Sequence, residues 1–174
     1  TNILKEVPSQ FKKHNRPTWS FDDSAIISAV YTREFTDLFK FNINHDEAER
    51  LTFDGGRYGI MTNETTLLYT KLKDGLWQKD LNASPTNKPI NKISGKIFDA
   101  LYTWSYYGDK VYFRKNEATH HQVSYYDFPT QTLIPLVRLP LKTFESYGAL
   151  TFIAQQNKLL FTSALFPQSD IKQI

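Results

Sequence analysis

Four stretches of the 174-residue chain repeat one layout: an aromatic or apolar strand, a tight polar turn, a very apolar strand, a gap, and a second alternating strand. The first runs Trp19-Ser20-Phe21, turn Asp22-Asp23-Ser24, Ala25 to Tyr31, and later Leu38 to Ile43. The second runs Tyr58 to Met61, turn Asn63-Glu64-Thr65, Leu67-Leu68-Tyr69, and later Leu76 to Leu81. The third runs Trp104 to Tyr107, turn Gly108-Asp109, Val111-Tyr112-Phe113, and later Val123 to Phe128. The fourth runs Leu150 to Ile153, turn Gln156-Asn157, Leu159-Leu160-Phe161, and finally Asp170 to Ile174. The central positions Ile26, Leu68, Tyr112 and Leu160 stand 42, 44 and 48 residues apart. One small sheet cannot bury both of its faces alone, so a repeat of this size demands that neighbouring sheets cover each other.

Each central strand is a continuous apolar run, as expected of a sheet buried on both sides. The turns carry Asp, Asn and Gly, which tolerate left-handed or tightly turned backbone. Asp74-Gly75 precedes Leu76 to Leu81, which alternates at period two and reads as a half-exposed strand. Glu49-Arg50-Leu51-Thr52 and Pro135-Leu136-Val137 are expected to be outer strands, and no stretch sustains a helical apolar stripe. The high aromatic share, 15% with 13 Phe and 10 Tyr, suits half-buried pleated surfaces. The expected fold class is all-β: a β-propeller or partial propeller of about four four-stranded antiparallel blades. Their approximate limits are 8–52, 53–94, 95–140 and 141–174 within a single domain. Residues 1–7, with Ile3-Leu4-Lys5-Glu6-Val7, are expected to form a closing outer strand, because the fourth unit stops after its third strand. The ring is therefore expected either to close on itself or to be part of a larger one, completed by a second copy or by further blades. The initial Thr1 leads us to expect a piece of a longer protein.

The stretch Pro17-Thr18-Trp19-Ser20-Phe21-Asp22-Asp23-Ser24, followed by Ile26 and Ile27, resembles the Pro-x-Trp-Ser-x-Asp-Gly signature of TolB-type (WD40-like) propeller repeats. Ser24 stands after the acidic pair where that family usually has Gly, which leaves the turn type open. The stretch from Ala100 to Ile174 is similar to the carboxy-terminal blades of bacterial winged-helix transcriptional regulators. The residues that carry this likeness are a Trp-containing strand, Tyr126-Asp127-Phe128-Pro129-Thr130-Gln131 and Ser169-Asp170-Ile171. Neither resemblance brings catalytic residues with it.

The chemistry-bearing residues point the same way. With no cysteine, disulfides, thiolate zinc sites and a Cys nucleophile are excluded. Four histidines are present, His14, His45, His120 and His121; the adjacent pair is expected in a solvated loop, and no metal site is expected. Asp22, Asp23, Asp54, Asp109 and Asp127 read as turn and strand-end residues rather than acid–base partners. No Gly-x-Ser-x-Gly elbow is present, and Asp54-Gly55-Gly56-Arg57 lacks the ending of a phosphate loop, so it reads as a turn between units. The net charge of +3 is scattered, and the densest basic cluster, Lys12, Lys13 and Arg16, is too short for a nucleic-acid surface. No apolar run approaches the roughly 18 residues that span a bilayer. The sequons Asn63-Glu64-Thr65 and Asn82-Ala83-Ser84 carry meaning only in a eukaryotic secretory route. What remains is an aromatic set, Trp19, Trp77, Trp104, Tyr106 and Tyr107, able to form an interaction surface, with inter-blade packing the commoner role of such residues.

The function expected from these features is non-catalytic: a sensing or protein-interaction domain, with no cofactor and no nucleic-acid contact of its own. The regulator resemblance implies the carboxy-terminal propeller of a bacterial transcriptional regulator. The alternatives are the propeller of a prolyl-peptidase-like hydrolase and a TolB-like periplasmic scaffold. The expected partner is a protein or small ligand, with a homodimer completing a larger propeller as a further possibility. The expected compartment is the periplasm, with the cytoplasm as the alternative.

Overall fold

In a computed structural model the described residues are 14–83, 91–94, 104–141, 150–165 and 168–173. They fall in two compact units, Thr1–Leu101 and Tyr102–Ile174. The closing strand expected at residues 1–7, the lysines Lys12 and Lys13, and Ser84 of the second sequon lie outside the described residues.

The first unit holds two four-stranded antiparallel meanders. Sheet 1 contains β1 (His14–Trp19), β2 (Ala25–Tyr31), β3 (Thr36–Asn42) and β4 (Ala48–Arg50) in that order. Sheet 2 contains β5 (Tyr58–Met61), β6 (Thr66–Lys71), β7 (Gly75–Asp80) and β8 (Asn91–Ser94), also in chain order. The second unit holds sheet 3, with β9 (Trp104–Tyr107), β10 (Lys110–Asn116), β11 (His120–Asp127) and β12 (Thr132–Pro140). Its sheet 4 has three strands among the described residues: β13 (Leu150–Ile153), β14 (Lys158–Leu165) and β15 (Gln168–Gln173). The helical content of the described residues is a short 3-10 turn at Ala154–Gln156.

Turn chemistry sets the registers. Gly108 and Asp109 take φ of 55° and 56°, the left-handed pair that a two-residue hairpin needs, and Lys110 pairs with Tyr107 across it. Asp23 and Asn157 adopt φ of 56° and 52° at the corresponding corners of sheets 1 and 4. At the first corner Asp22 is the organiser: its carboxylate accepts from Ser20 Oγ (2.7 Å), Ser24 Oγ (2.6 Å) and Ser24 N (3.2 Å). Ser24, in the place of the glycine of the resembling repeat, thus serves the turn as a hydrogen-bond donor. Those bonds, the Ser24 hydroxyl first, hold the exposed Asp22 carboxyl far below its ordinary value of 3.8. A depressed carboxyl contributes stability above the unfolded value and loses it as pH falls towards the folded one. Asp22→Asn is therefore expected to unfold at a lower temperature than wild type at neutral pH, with the gap closing in acid below 3.8. Thermal melts of both proteins between neutrality and acid check this; a gap that does not change with pH removes the turn from the acid response.

Several strands begin or end elsewhere than expected. Trp19-Ser20-Phe21 was assigned to the opening strand by pattern, yet β1 ends at Trp19 and Ser20 already belongs to the turn, where its hydroxyl also accepts Ala25 N at 2.9 Å. The fourth strand of sheet 1 is shorter than Glu49 to Thr52, because Leu51 and Thr52 turn away to bond Leu38. A larger correction concerns His120-His121, expected in a solvated loop. Both lie in β11 opposite Pro140 and Leu139, and His121 is buried with its ring nitrogens 2.8 Å from Asn116 Oδ1 and 2.8 Å from the Leu141 carbonyl. A polar run reads as loop when counted by residue type, but a buried imidazole with two partners is a satisfied core residue.

Each unit buries apolar side chains between its two sheets. In the first, Ile27, Ala29 and Leu38 of sheet 1 meet Met61, Leu67 and Tyr69 of sheet 2, with Leu51 among them. In the second, Tyr112 and Val123 of sheet 3 meet Leu150, Leu159 and Phe161 of sheet 4. At roughly 1.5–3 kcal/mol for each fully buried aliphatic or aromatic side chain, these interfaces supply the dominant favourable term for each unit. The sheets of the first unit approach so closely that Thr18 Oγ1 donates to the Gly59 carbonyl at 2.7 Å.

Candidate functional site

Three connections meet at one end of the first unit: β2 to β3, β4 to β5, and β6 to β7. The order of the meanders requires it, since Tyr31 pairs with Thr36 and Lys71 with Gly75 at the same ends from which Tyr58 starts opposite Thr70. Between them lies a groove of about 440 Å³ whose lining includes Arg33, Glu34, Asp54, Arg57, Leu72 and Asp74.

The groove rests on Asp37. Strand alternation puts this residue on the face opposite Leu38, away from the apolar core of the unit, yet it is fully buried. Its Oδ1 accepts from Thr52 Oγ1 (2.9 Å) and Gly55 N (3.0 Å); its Oδ2 accepts from Arg50 Nε (3.1 Å) and from Arg50 Nη2. Thr52 Oγ1 in turn accepts Leu38 N at 2.9 Å, so one carboxylate ties β3, β4 and the start of the β4–β5 connection together. The Arg50 guanidinium lies 4.0 Å from the Phe35 ring centroid and 4.7 Å from that of Phe53, a cation held between two aromatic faces.

A second charged layer lines the wall. Lys71 pairs with Asp54, and its ammonium stands 4.2 Å from the Trp77 ring. Burial, and after it the charge of Asp54, pushes the Tyr69 phenol well above its ordinary range, so it stays protonated. Lys79 is buried and donates to the Leu51 carbonyl at 2.8 Å; desolvation lowers its pKa against the pull of Asp54 and Asp37. These groups can orient and bind polar matter, but their charges are largely spent on each other. Among the described residues no group of three or more His, Cys, Asp or Glu is placed to hold a metal ion, and no helix is long and apolar enough to cross a membrane.

The five aromatic residues singled out in the sequence do not share one surface. Trp19 is 54% exposed, but it sits opposite Ile26, at the end of sheet 1 away from the groove. Trp77 stands behind the groove lining; its Nε1 donates to the Asp74 carbonyl at 3.2 Å and its face covers Lys71. Trp104 is only 1% exposed, which corrects its place in an interaction surface: it is core. Tyr107 is half exposed and stacks on Phe152 at 4.8 Å, and Phe152 stacks on Tyr112 at 4.7 Å. Tyr106 donates to Asp109 Oδ1 at 2.9 Å; partial burial and then that carboxylate push its phenol up to about 12.

Of the five Asp residues read as turn and strand-end groups, Asp22, Asp23, Asp109 and Asp127 serve that role, Asp23 with its left-handed φ of 56° and Asp127 by accepting from Thr130 N at 3.0 Å. Asp54 does more, through its pair with Lys71. The residues the sequence reading missed are Asp37, Lys71 and Lys79. A usable signal existed: Asp37 is an acidic residue directly before the apolar pair Leu38-Phe39, and a buried carboxylate there needs a partner of opposite charge.

No protein-family model matches the sequence, and no curated protein sequence is significantly similar to it. Solved structures do share its backbone. TolB from Acinetobacter baumannii superposes with a TM-score of 0.64 at 19% identity, over 92% of this chain and 40% of the TolB chain. A puromycin hydrolase mutant superposes with a TM-score of 0.61 at 9% identity, over 94% of this chain and 27% of the hydrolase. The β-propeller domain of the trilobed protease from Pyrococcus furiosus gives 0.54 at 11% identity, over 92% of this chain and 55% of that domain. The chain thus spans well under half of the first two. At such identities the likeness is one of fold: these residues form a TolB-like β-propeller or partial propeller of about four antiparallel sheets.

Proposed function

We propose that the chain is a non-catalytic interaction domain, a TolB-like scaffold whose first unit presents its groove end to a protein partner. The observation that carries this is the groove itself, about 440 Å³ of charged and half-apolar surface built on a buried ion-pair frame. A frame whose carboxylates are locked in structural pairs is rigid and pre-organised, which favours recognition, while a general acid or base needs a group free to exchange a proton with substrate. The periplasm is the compartment that fits a TolB-like scaffold. A second function, the propeller of a peptidase-like hydrolase, draws support from the likeness to a puromycin hydrolase and to a protease propeller. The regulator function, expected first from the sequence, draws on that resemblance alone.

A photo-cross-linking side chain at Leu72, on the groove rim, is expected to trap a defined partner in cells of origin, whereas the same group at Leu133 of β12 is not. Folded protein that gives no adduct from Leu72 sinks the scaffold function. The full-length reading frame separates the alternatives: a signal peptide accords with the scaffold, a following α/β-hydrolase with the peptidase propeller, a preceding winged helix with the regulator.

A further inference from the structure

We infer that the groove of the first unit receives an acidic peptide segment of a partner protein, with Arg33 and Arg57 binding its carboxylate; this rests on the interaction function proposed above. The lining carries three cationic and three acidic side chains: Arg33, Arg57 and Lys71 against Glu34, Asp54 and Asp74. They are not equally available. Lys71 and Asp54 neutralise each other, and Asp74 has a contact of its own. Arg33 is exposed and makes no hydrogen bond or ion pair among the described residues. Arg57 lies over the Tyr31 ring at 5.0 Å and has no carboxylate partner among the described residues. Two guanidiniums with no carboxylate partner among the described residues thus line the groove.

A guanidinium presents a planar fork of donors that matches a carboxylate, and a ring beneath it fixes its plane without using those donors. Arg57 on Tyr31 has this arrangement. The walls also limit what can enter. Glu34 and Asp74 repel a polyanion such as nucleic acid, yet they tolerate a single carboxylate placed between Arg33 and Arg57. Leu72, 50% exposed on the rim, and the Phe35 ring supply apolar ground for the side chain next to the acidic one, which a free anion would leave unused.

Fluorescence anisotropy of a labelled hexapeptide with two central glutamates flanked by leucines tests this, beside the same peptide with glutamines and with lysines. The glutamate peptide is expected to bind at least about tenfold more tightly than the glutamine peptide, and the lysine peptide not at all. Arg33→Glu and Arg57→Glu are each expected to weaken binding by about tenfold or more with an unchanged melting temperature, and binding is expected to fall with added salt. Arg33 has no hydrogen bond or ion pair to lose among the described residues, so its variant keeps the test valid should Arg57→Glu disturb the fold. Equal binding of the glutamate and glutamine peptides overturns the inference. So does retention of binding by both variants, or inorganic phosphate occupying the groove while no peptide competes with it. A partner trapped from Leu72 with no glutamate-peptide binding leaves the scaffold function standing and removes the acidic ligand; failure of both removes both.

Discussion

Asp37→Ala is expected to lower the unfolding free energy of the chain by about 3 kcal/mol, measured by urea unfolding. The loss has three parts that one side chain holds together. Arg50 is left without its carboxylate beneath Phe35 and Phe53, and the Thr52 hydroxyl and the Gly55 amide each lose their acceptor. Removing one member of a buried pair typically costs about 3–5 kcal/mol, and the low end applies because Arg50 keeps 29% of its side chain in solvent and can be partly rehydrated. Asp37→Asn separates the parts: an amide oxygen still serves Thr52 and Gly55 but offers Arg50 no charge, so about 1–2 kcal/mol is expected. A loss below about 0.5 kcal/mol for Asp37→Ala places this carboxylate among ordinary surface substitutions and removes the frame on which the groove is argued to stand.

What could be seen in the residues alone was the part set by local rules. The strands β5, β9 and β13 begin and end where alternation and turn residues put them, because those signals act within a few residues of chain. Gly108-Asp109 is the plainest instance: a left-handed pair between two aromatic strands has one cheap solution, a tight hairpin. The groove was not visible, since it depends on pairings across sheets. Lys71 closes one repeat's central strand and Asp54 sits in a connection 17 residues earlier; nothing in either stretch says that they meet. Composition misled at His120 and His121, where polar letters outweighed the β11 pattern, and left Trp104 in a candidate surface although such aromatics are more often packing, as its burial shows. The single long-range signal within reach was Asp37 inside β3. A charge next to apolar residues that are themselves buried announces a partner without naming it.

Gly59→Ala is expected to cost about 1–3 kcal/mol, and the reason lies in how closely the two sheets of the first unit stack. The backbone of Gly59 does not occupy the left-handed region, so alanine meets no conformational strain there. What it meets is Leu38: an added Cβ falls 2.5 Å from Leu38 Cδ1, 3.2 Å from Leu67 Cδ1 and 3.4 Å from the Leu68 carbonyl. Leu38 and Leu67 are both buried in the inter-sheet core and have little room to withdraw. A double-mutant cycle isolates the effect. Leu38→Ala alone is expected to cost about 2–5 kcal/mol through the cavity it leaves. Combined with Gly59→Ala it is expected to cost less than the two singles together, by about 1 kcal/mol or more, because the new methyl enters the space that Leu38 vacates. Gly55 serves as the control: with φ of 107° and nothing within 4 Å of a built Cβ, its alanine variant is disfavoured by backbone conformation alone and is expected to show no coupling to Leu38. Additive losses for Gly59 and Leu38 mean that the glycine is required for some reason other than the approach of β5 to β3, and that sheet stacking in this unit tolerates side chains where none now stand.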